Sequence, residues 1–371
     1  MAGEVLFVAG ETSGDLHAAM LASELRTLRP ELTLTGIGGA RMAESGVKLF
    51  ERSDRLAVMG FVEVLRHVPR HLALLRDIRR RLASGSVKLV ILVDYPGFNL
   101  KVAEAAKAAG VPVLYYIAPQ VWAWNERRVH VMARVIDRAA VILPFEEAFF
   151  AERGVRATFV GHPLLDRAQS LPDRATARAQ LGLSEEGPVL ALFPGSRVQE
   201  VDRLLTTFVE AAQQLQSRRP GLQVIVSVAP GMDVDGHRCP FPLVRGASFP
   251  VLRAADTALC KSGTTTLEAA VAGCPLVVAY RTSGWSYAIA RRLVRIPDIA
   301  LVNIVAGRRI VPELVQGAVT PDALADQLLP LLDPRSEARR TQVAALAEVR
   351  GKLGEPGAAR RAAALASELV G

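Results

Sequence analysis

Short apolar runs alternate with helical patterns along the first half of the chain. The runs are VLFVAG, LTLTGIG, LVILVD, VPVLYYIAP and AAVILPF, and helical patterns cover residues 15–28 and 99–109. Continuous apolar runs of this length are typical of strands buried on both faces of a parallel sheet. Strands that alternate with helices predict an α/β domain with a doubly wound sheet.

The same alternation restarts after a polar, alanine-rich interval. The later runs are PVLALF, LQVIVSVAP, FPLVRG, TALCK and PLVVAYR, and the end of the chain is helical in pattern. We therefore predict an α/β protein with two Rossmann-like domains facing across a cleft, followed by C-terminal helices. The predicted boundaries are 1–165 for the N-terminal domain, 166–187 for a linker, 188–345 for the C-terminal domain and 346–371 for a helical tail.

Composition narrows the class of protein. The chain has 371 residues, of which 50% are hydrophobic and only 5% aromatic, so aliphatic side chains must build the cores. Its three cysteines lack CxxC spacing, which argues against a disulfide framework or a zinc site and favours a reducing compartment. We expect no signal peptide and no membrane-spanning helix, because neither pattern occurs. The net charge of +8 favours an anionic partner.

Nucleic acid is disfavoured as that anionic partner. No RRM, KH or zinc-finger pattern occurs, and the densest basic cluster lies in one amphipathic segment. That segment, residues 60–85, has apolar residues at helical spacing beside many arginines. Such a helix binds either an anionic membrane surface or, by its apolar face, the protein core. The predicted membrane contacts are Val62, Val64, Leu65, Val68 and Leu72.

Two loops in the second half each connect a strand to a helix. One contains Gly195, Ser196 and Arg197, and the other begins at Ser262, Gly263 and Thr264. Helix N-termini attract anions through exposed N–H groups, so two such loops predict a diphosphate site. Neither loop is a complete GxxxxGK[ST] or GxGxxG motif, which disfavours a nucleoside triphosphatase or a dinucleotide enzyme.

Several polar residues near these turns have two interpretations. Glu268 is either an acceptor for ribose hydroxyls or a capping-box partner of Thr265. Asp94 directly follows the apolar run 89–93, so it is either a turn residue or a carboxylate facing the ligand crevice. Ser13 and Asp15 are either helix caps or site residues.

Two further patterns have a structural and a functional interpretation. Trp122 and Trp124 either pack in the core or contact an acceptor. Asp233 and Asp235 have the DxD spacing of divalent-cation sites, but the match is two residues long. We therefore expect no metal and no cofactor.

Eight blocks along the chain resemble the lipid-A-disaccharide synthase family of GT-B glycosyltransferases. The blocks are VAGETSGD (8–15), LAVMGFVEVL (56–65), DYPGFN (94–99), PQVWAWNERRV (119–129), FVGHPLLD (159–166), PGSR (194–197), SGTTTLEA (262–269) and LVNIVAGR (301–308). The resemblance implies an inverting, metal-independent transfer from UDP-2,3-diacylglucosamine to 2,3-diacylglucosamine 1-phosphate. The implied product is the β-1,6-linked disaccharide, made at the cytoplasmic face of the inner membrane by a peripheral enzyme.

The resemblance also implies roles for individual residues. Asp94 is the implied general base, and the two glycine-containing loops hold the UDP diphosphate. Glu268 and Asn303 are implied to lie at the nucleotide site, and Glu11, Ser13 and Asp15 on the acceptor side.

Three alternatives remain beside this family. The lipid II-forming transferase and the UDP-N-acetylglucosamine 2-epimerase would share the nucleotide half, but the N-terminal blocks disfavour both. A non-catalytic, membrane-docked nucleotide-sugar-binding protein would not need Asp94 beside a complete phosphate loop.

Overall fold

A computed structural model describes residues 3–53, 61–124, 126–232, 234, 239–284, 287 and 298–371, with the backbone alone at residues 12, 61–68 and 124. The chain forms two compact units. Unit 1 comprises Met1–Pro163 together with Gly354–Gly371, and unit 2 comprises Leu164–Leu353. The prediction of two α/β domains is confirmed, and the predicted cleft stays a prediction.

Unit 1 is built on a parallel sheet of seven strands. The strands are β1 (Glu4–Ala9), β2 (Thr33–Gly38), β3 (Lys48–Arg52), β4 (Val87–Val93), β5 (Val113–Tyr116), β6 (Arg138–Val141) and β7 (Ala157–Phe159). Their order is β3-β2-β1-β4-β5-β6-β7. The chain winds outward in both directions from β1 and β4, so the topological switch point lies between these two strands. Ligands of open α/β sheets bind beyond the strand ends at this point.

Helices cover both faces of this sheet. They are α1 (Thr12–Leu28), α2 (Ala40–Glu44), α3 (Phe61–Ala83), α4 (Pro96–Ala108), α5 (Val121–Trp124), α6 (Arg128–Val135) and α7 (Glu146–Ala151). The central strands β1 and β4 are almost entirely buried, as their continuous apolar runs predict.

Unit 2 repeats the design with six parallel strands. The strands are β8 (Val189–Phe193), β9 (Gln223–Val228), β10 (Leu243–Arg245), β11 (Thr257–Lys261), β12 (Leu276–Tyr280) and β13 (Glu313–Val315). Their order is β10-β9-β8-β11-β12-β13, which places the switch point between β8 and β11. The helices are α8 (Leu164–Ala168), α9 (Arg174–Gln180), α10 (Val198–Arg218), α11 (Ser248–Ala254), α12 (Thr265–Ala272), α13 (Leu301–Ala306), α14 (Pro321–Leu328) and α15 (Glu337–Lys352).

The interval predicted as a linker is a folded part of unit 2. Residues 166–187 contain most of α8 and all of α9. Arg178 of α9 is buried, and its guanidinium donates to Asp256 Oδ2 over 2.9 Å. Asp256 also accepts from Arg174 and from the backbone N–H of Val189. This network fixes α9 on the sheet, which a polar sequence alone does not reveal.

The predicted helical tail is divided between the two units. Helix α15 belongs to unit 2, whereas the last helix, α16 (Ala358–Val370), belongs to unit 1. Ala362, Ala363 and Ala366 are fully buried in the same cluster as Ala18 and Ala22 of α1. Small side chains on both helices allow close packing, so the C-terminus completes the core of unit 1.

Candidate active site

In unit 2, the two predicted phosphate loops meet at the switch point. Strands β8 and β11 are neighbours, with Phe193 paired to Cys260 at their carboxyl ends. The first loop leads from β8 into α10, and the second leads from β11 into α12. The structure therefore brings together the six residues that the sequence predicted to bind a diphosphate.

The first loop is shaped by Gly195 and Glu200. Gly195 has φ +138°, and a Cβ at this position would lie 2.5 Å from Cβ of Glu200. The Ser196 N–H donates to Glu200 Oε2 over 3.0 Å. Arg197 is the N-cap residue of α10, and its side chain is 59% exposed. The loop thus presents a guanidinium to solvent at a helix N-terminus, where an anion is favoured.

The second loop exposes backbone donors. Ser262 is buried, and its hydroxyl donates to the Ile299 carbonyl over 2.6 Å. Within the described parts of the chain, the N–H groups of Gly263, Thr264 and Thr265 donate to no other group. Such a run of N–H groups at the start of α12 suits a phosphate oxygen. Ser262 itself supports the loop, because its hydroxyl is engaged by the protein.

Lys261 and Glu200 are two residues of this region that the sequence prediction missed. Lys261 Nζ lies 2.8 Å from Glu200 Oε1, so one ion pair links the two loops. Burial opposes ionisation of Glu200, but Lys261 and the Ser196 N–H hold its carboxyl pKa below the usual value. The only sequence signal was the position of Lys261, directly before the SGT loop.

Glu268 lies one turn into α12 and is paired within unit 2. It is largely buried, and its Oε1 accepts from Arg167 Nη1 over 3.1 Å. Burial raises the carboxyl pKa of Glu268, while Arg167 and Ser248 act in the opposite direction. The N-cap residue Thr264 makes no side-chain capping hydrogen bond. The observed partner is thus an arginine, and a ribose contact stays a prediction.

Asn303, predicted at the nucleotide site, is hydrogen-bonded within unit 2. Its side chain is fully buried, and Oδ1 accepts from the N–H groups of Ile310 and Val311. Nδ2 donates to the Val311 carbonyl and to Glu313 Oε1 over 2.8 Å. Because this amide is engaged on both ends, Asn303 holds the segment after α13 in place, and a contact with the nucleotide stays a prediction.

In unit 1, the loops after β1 and β4 lie side by side. Ala9 pairs with Val93 at the strand ends, so the start of α1, with its N-cap Glu11 and with Ser13, adjoins the loop with Asp94. A Cβ at Gly10 would lie 2.3 Å from the Tyr95 ring, so only glycine permits this approach. Glu11 and Ser13 are exposed at this edge.

Asp94 occupies a strained turn. Asp94 and Tyr95 have φ values of +49° and +50°, a left-handed conformation that is costly for residues other than glycine. Two side chains fix the turn, since Asn99 Nδ2 and Tyr115 Oη each donate to the Asp94 carbonyl over 2.6 Å. Burial raises the carboxyl pKa of Asp94, against an opposing hydrogen bond from the backbone of Tyr95.

The Asp94 side chain is consequently half-buried and more basic than an ordinary aspartate. A raised pKa brings a carboxylate closer to the value that suits a general base at neutral pH. Strained backbone is common where a side chain must be aimed at a substrate.

Asp15, predicted on the acceptor side, has a structural task. Its carboxylate is buried and accepts three backbone hydrogen bonds, from Gly39 over 2.6 Å, Arg41 over 3.1 Å and Met42 over 3.2 Å. These donors are the N-terminal N–H groups of α2 and its N-cap. Asp15 therefore caps a neighbouring helix, and a contact with the acceptor stays a prediction.

The Trp122 indole is part of the unit 1 fold. Its Nε1 donates to Glu146 Oε1 over 3.0 Å, and its ring packs edge-on against Phe145. Glu146 is buried and also accepts from the N–H groups of Ile142 and Leu143. These contacts favour the packing interpretation for Trp122. The side chain of Trp124 lies outside the described residues.

The amphipathic segment forms the long helix α3. Its C-terminal half packs in the core through Leu74, Leu75, Ile78 and Leu82, whereas Leu72 is 54% exposed. The side chains of Val62, Val64, Leu65 and Val68 lie outside the described residues, as do Asp233 and Asp235. Among the helices that the structure describes, none is long and apolar enough to cross a membrane.

Solved structures with similar folds are glycosyltransferases and nucleotide-sugar enzymes. The glycosyltransferase of kitacinnamycin matches with a TM-score of 0.68 at 17% identity, over 99% of both chains. A putative UDP-N-acetylglucosamine 2-epimerase from Listeria monocytogenes also has a TM-score of 0.68, at 13% identity, over 99% of this chain and 96% of its own. At such identities the likeness establishes the GT-B type of fold and not the reaction.

Sequence comparison distinguishes these enzymes. The family model for lipid-A-disaccharide synthetase matches residues 5–368. The lipid-A-disaccharide synthase of Myxococcus xanthus strain DK1622 is 46% identical over 374 residues, which cover 99% of this chain and 97% of the relative. A match of this extent includes both switch-point edges, so the chain belongs to the lipid-A-disaccharide synthase family and is a glycosyltransferase of lipid A biosynthesis with a UDP-sugar donor and a glycosyl acceptor.

Proposed function

We propose that the chain joins UDP-2,3-diacylglucosamine to the 6-hydroxyl of 2,3-diacylglucosamine 1-phosphate. The products are the β-1,6-linked lipid A disaccharide 1-phosphate and UDP. Family membership supports the reaction type, and the phosphate loops of unit 2 support a nucleotide diphosphate donor. The acyl chains of both sugars and the membrane surface are parts of the proposal.

Asp94 is the general base in this proposal. Its carboxylate takes the proton of the acceptor hydroxyl as that oxygen attacks the anomeric carbon of the donor. The bond from this carbon to the diphosphate oxygen breaks, its electron pair stays on UDP, and the configuration inverts. The observation that carries the assignment is the half-buried Asp94 carboxyl with a raised pKa at the switch point of unit 1. A positioned base contributes roughly 10²–10⁴-fold to such a step.

The leaving group is stabilised at unit 2 in the same proposal. Arg197 supplies a planar cation, and the N–H groups of Gly263 and Thr264 supply dipoles, at the positions where two helices begin. Negative charge grows on the diphosphate as the bond breaks, so donors that are already in place lower the barrier. Glu268 is proposed to contact the ribose from within its ion pair with Arg167.

The acceptor and the membrane are assigned to unit 1. Glu11 and Ser13 are exposed beside the Asp94 turn. We propose that they contact the acceptor sugar. Helix α3 approaches the same turn, since His71 Nε2 and Tyr95 Oη share a hydrogen bond of 2.7 Å. We place the protein at the cytoplasmic face of the inner membrane, bound peripherally through α3, because both proposed substrates are two-chain lipids.

Replacing Asp94 with asparagine tests the proposal. Asp94→Asn keeps the size of the side chain but removes its proton affinity, so kcat should fall by about 10²-fold or more while UDP affinity stays the same. Disaccharide formation from acylated donor and acceptor, measured with UDP binding by calorimetry, gives both values. Asp173→Asn is the matched control, because Asp173 caps α9 and asparagine caps a helix equally well.

Two results would contradict the proposal in different ways. Near-normal kcat in Asp94→Asn would leave Asp94 as a turn residue and make Glu11 the next candidate for the base. Epimerisation of UDP-N-acetylglucosamine by the wild-type protein, without disaccharide formation, would replace the proposed reaction itself.

A further inference from the structure

The ammonium of Lys261 lies between the two phosphate loops of unit 2. Lys261 is the last residue of β11, and its side chain turns toward both loops. Its Nζ is 2.8 Å from Glu200 Oε1 on the first loop's side and 3.9 Å from the position that a Cβ of Gly263 would take in the second loop. The Tyr280 ring lies below it, with its centroid 5.9 Å from Nζ. One cation is thus held where two helix N-termini converge.

Glu200 fixes this cation in place. One oxygen of its carboxylate pairs with Lys261 and the other accepts the Ser196 N–H, and its Cβ is packed against Gly195. These contacts fix the position of the Glu200 carboxylate, which in turn limits the positions that the Lys261 ammonium can occupy. A lysine held in this way loses little side-chain freedom when an anion arrives.

We propose that Lys261 is a phosphate-contacting residue that binds the diphosphate of the nucleotide-sugar donor. The inference rests on the proposed function, because it requires a nucleotide diphosphate at these loops. An ammonium carries three N–H donors, and the Glu200 carboxylate engages only one side of it. The ammonium is also close to the second loop, since Nζ lies 3.9 Å from the position that a Cβ of Gly263 would take.

The comparison with Arg197 indicates the size of the contribution. The Lys261 side chain is 20% exposed, against 59% for Arg197. A charge that is better shielded from water acts more strongly on a nearby phosphate, because solvent and salt screen it less. Each charge-assisted hydrogen bond of this kind changes affinity by about ten- to a hundredfold.

A purely structural role for Lys261 makes a different prediction. If Lys261 only neutralises Glu200, its removal harms UDP binding by leaving the half-buried Glu200 carboxylate with Arg197 alone as counter-ion, at 3.9 Å, and replacement of Glu200 as well should repair the defect. The decisive comparison is therefore Lys261→Met measured in two backgrounds, wild type and Glu200→Gln. Glutamine keeps an oxygen for the Ser196 N–H and keeps the packing against Gly195.

UDP affinity measured by calorimetry on the full-length protein decides between the two roles. We expect Lys261→Met to weaken UDP binding at least about tenfold in both backgrounds, and to lower kcat because charge grows on the diphosphate in the transition state. An unchanged UDP affinity on adding Lys261→Met to Glu200→Gln would overturn the inference. Arg218→Met is the matched control, since it removes a cation from an exposed pair with Asp326 at the far end of α10.

Arg197→Ala separates this inference from the proposed function. If Arg197→Ala loses UDP binding but all Lys261 variants retain it, the nucleotide site of the proposed function stands and the assignment of Lys261 to that site is wrong. Wild-type protein that binds no UDP would overturn both.

Discussion

Asp15 and Asp94 show how surroundings assign different roles to the same residue type. Asp94 directly follows β4, Asp15 lies in the first turn of the helix that follows β1, and the sequence allows either to face a ligand. Asp15 accepts three N–H groups from the start of α2 and is buried, so its oxygens are used by the fold. The Asp94 side chain is half-buried, and the hydrogen bonds that fix its turn go to its backbone carbonyl.

Glu146 gives a residue-scale prediction about pH. Burial raises the pKa of its carboxyl to about 7, against hydrogen bonds from Trp122, Leu143 and Ile142. Between its unfolded value near 4.5 and about 7, the folded carboxyl keeps a proton that the unfolded one has lost. Its contribution to stability is therefore present at the acid end of this range and declines as pH rises, by up to about 3 kcal/mol.

Glu146→Gln should remove this pH-dependent component. Denaturant unfolding of wild type and variant is measured at several pH values from 4.5 to 8. The unfolding free energy of the wild type minus that of the variant should fall as pH rises and level off above 7. Glu152→Gln, in an exposed position just after α7, is the control. Parallel curves for wild type and Glu146→Gln would show that Glu146 does not titrate in this range.

Helix α3 contains both buried and exposed apolar residues. The helix spans Phe61–Ala83, and Leu74, Leu75, Ile78 and Leu82 pack in the core while Leu72 is exposed. The interpretation as a core-facing helix therefore holds for the C-terminal half. The membrane proposal is confined to the N-terminal half and to Leu72.

Serine substitutions in that half test the membrane proposal. Replacing Val64, Leu65, Val68 and Leu72 together should shift the protein from the liposome pellet to the supernatant, because apolar area buried in the headgroup region is lost. Vesicles with anionic lipid are used for sedimentation, and circular dichroism checks folding. Leu28→Ser, at an exposed leucine near the end of α1, should pellet as wild type does. A quadruple variant that still pellets, or that unfolds, contradicts the proposal.

The predicted strands also differ in how visible they are in the sequence. The buried central strands β1, β4, β8 and β11 all appear as continuous apolar runs, and each was predicted. Of the four edge strands, the run FPLVRG revealed β10, whereas no run revealed β3, β7 or β13. An edge strand has fewer buried positions, as the exposed and half-buried residues of β3 show, so its composition resembles that of a loop.

At the scale of the whole molecule, contacts between distant positions limit prediction. The pairing of Lys261 with Glu200 depends on β8 and β11 being neighbours in the sheet. In the sequence, α10, β9, β10 and α11 lie between these two strands. The return of α16 to unit 1 depends on two alanine faces that look alike in many helices. Local patterns thus predict the two α/β units and the loop positions, whereas long-range partners come only from the fold.

A matched pair of substitutions in α16 tests its packing. Ala363 is buried and Ala364 is exposed on the same helix. Ala363→Asp should destabilise unit 1 by about 3 kcal/mol or more, because a buried unpaired carboxylate is costly. Ala364→Asp should cost no more than about 1 kcal/mol. Calorimetric unfolding measures both, and equal effects would contradict the packing of α16 on unit 1.

The path of the chain has a consequence for its synthesis. Unit 1 receives its last helix only after the 190 residues of Leu164–Leu353 have been translated, a delay of about 10–40 s at bacterial elongation rates. During that time the alanine face of α1 lacks the cover of α16, while unit 2 emerges as one uninterrupted segment that can fold first. The nascent first half therefore exposes apolar surface until the end of synthesis, and we expect a premature stop before α16 to destabilise unit 1 more than unit 2.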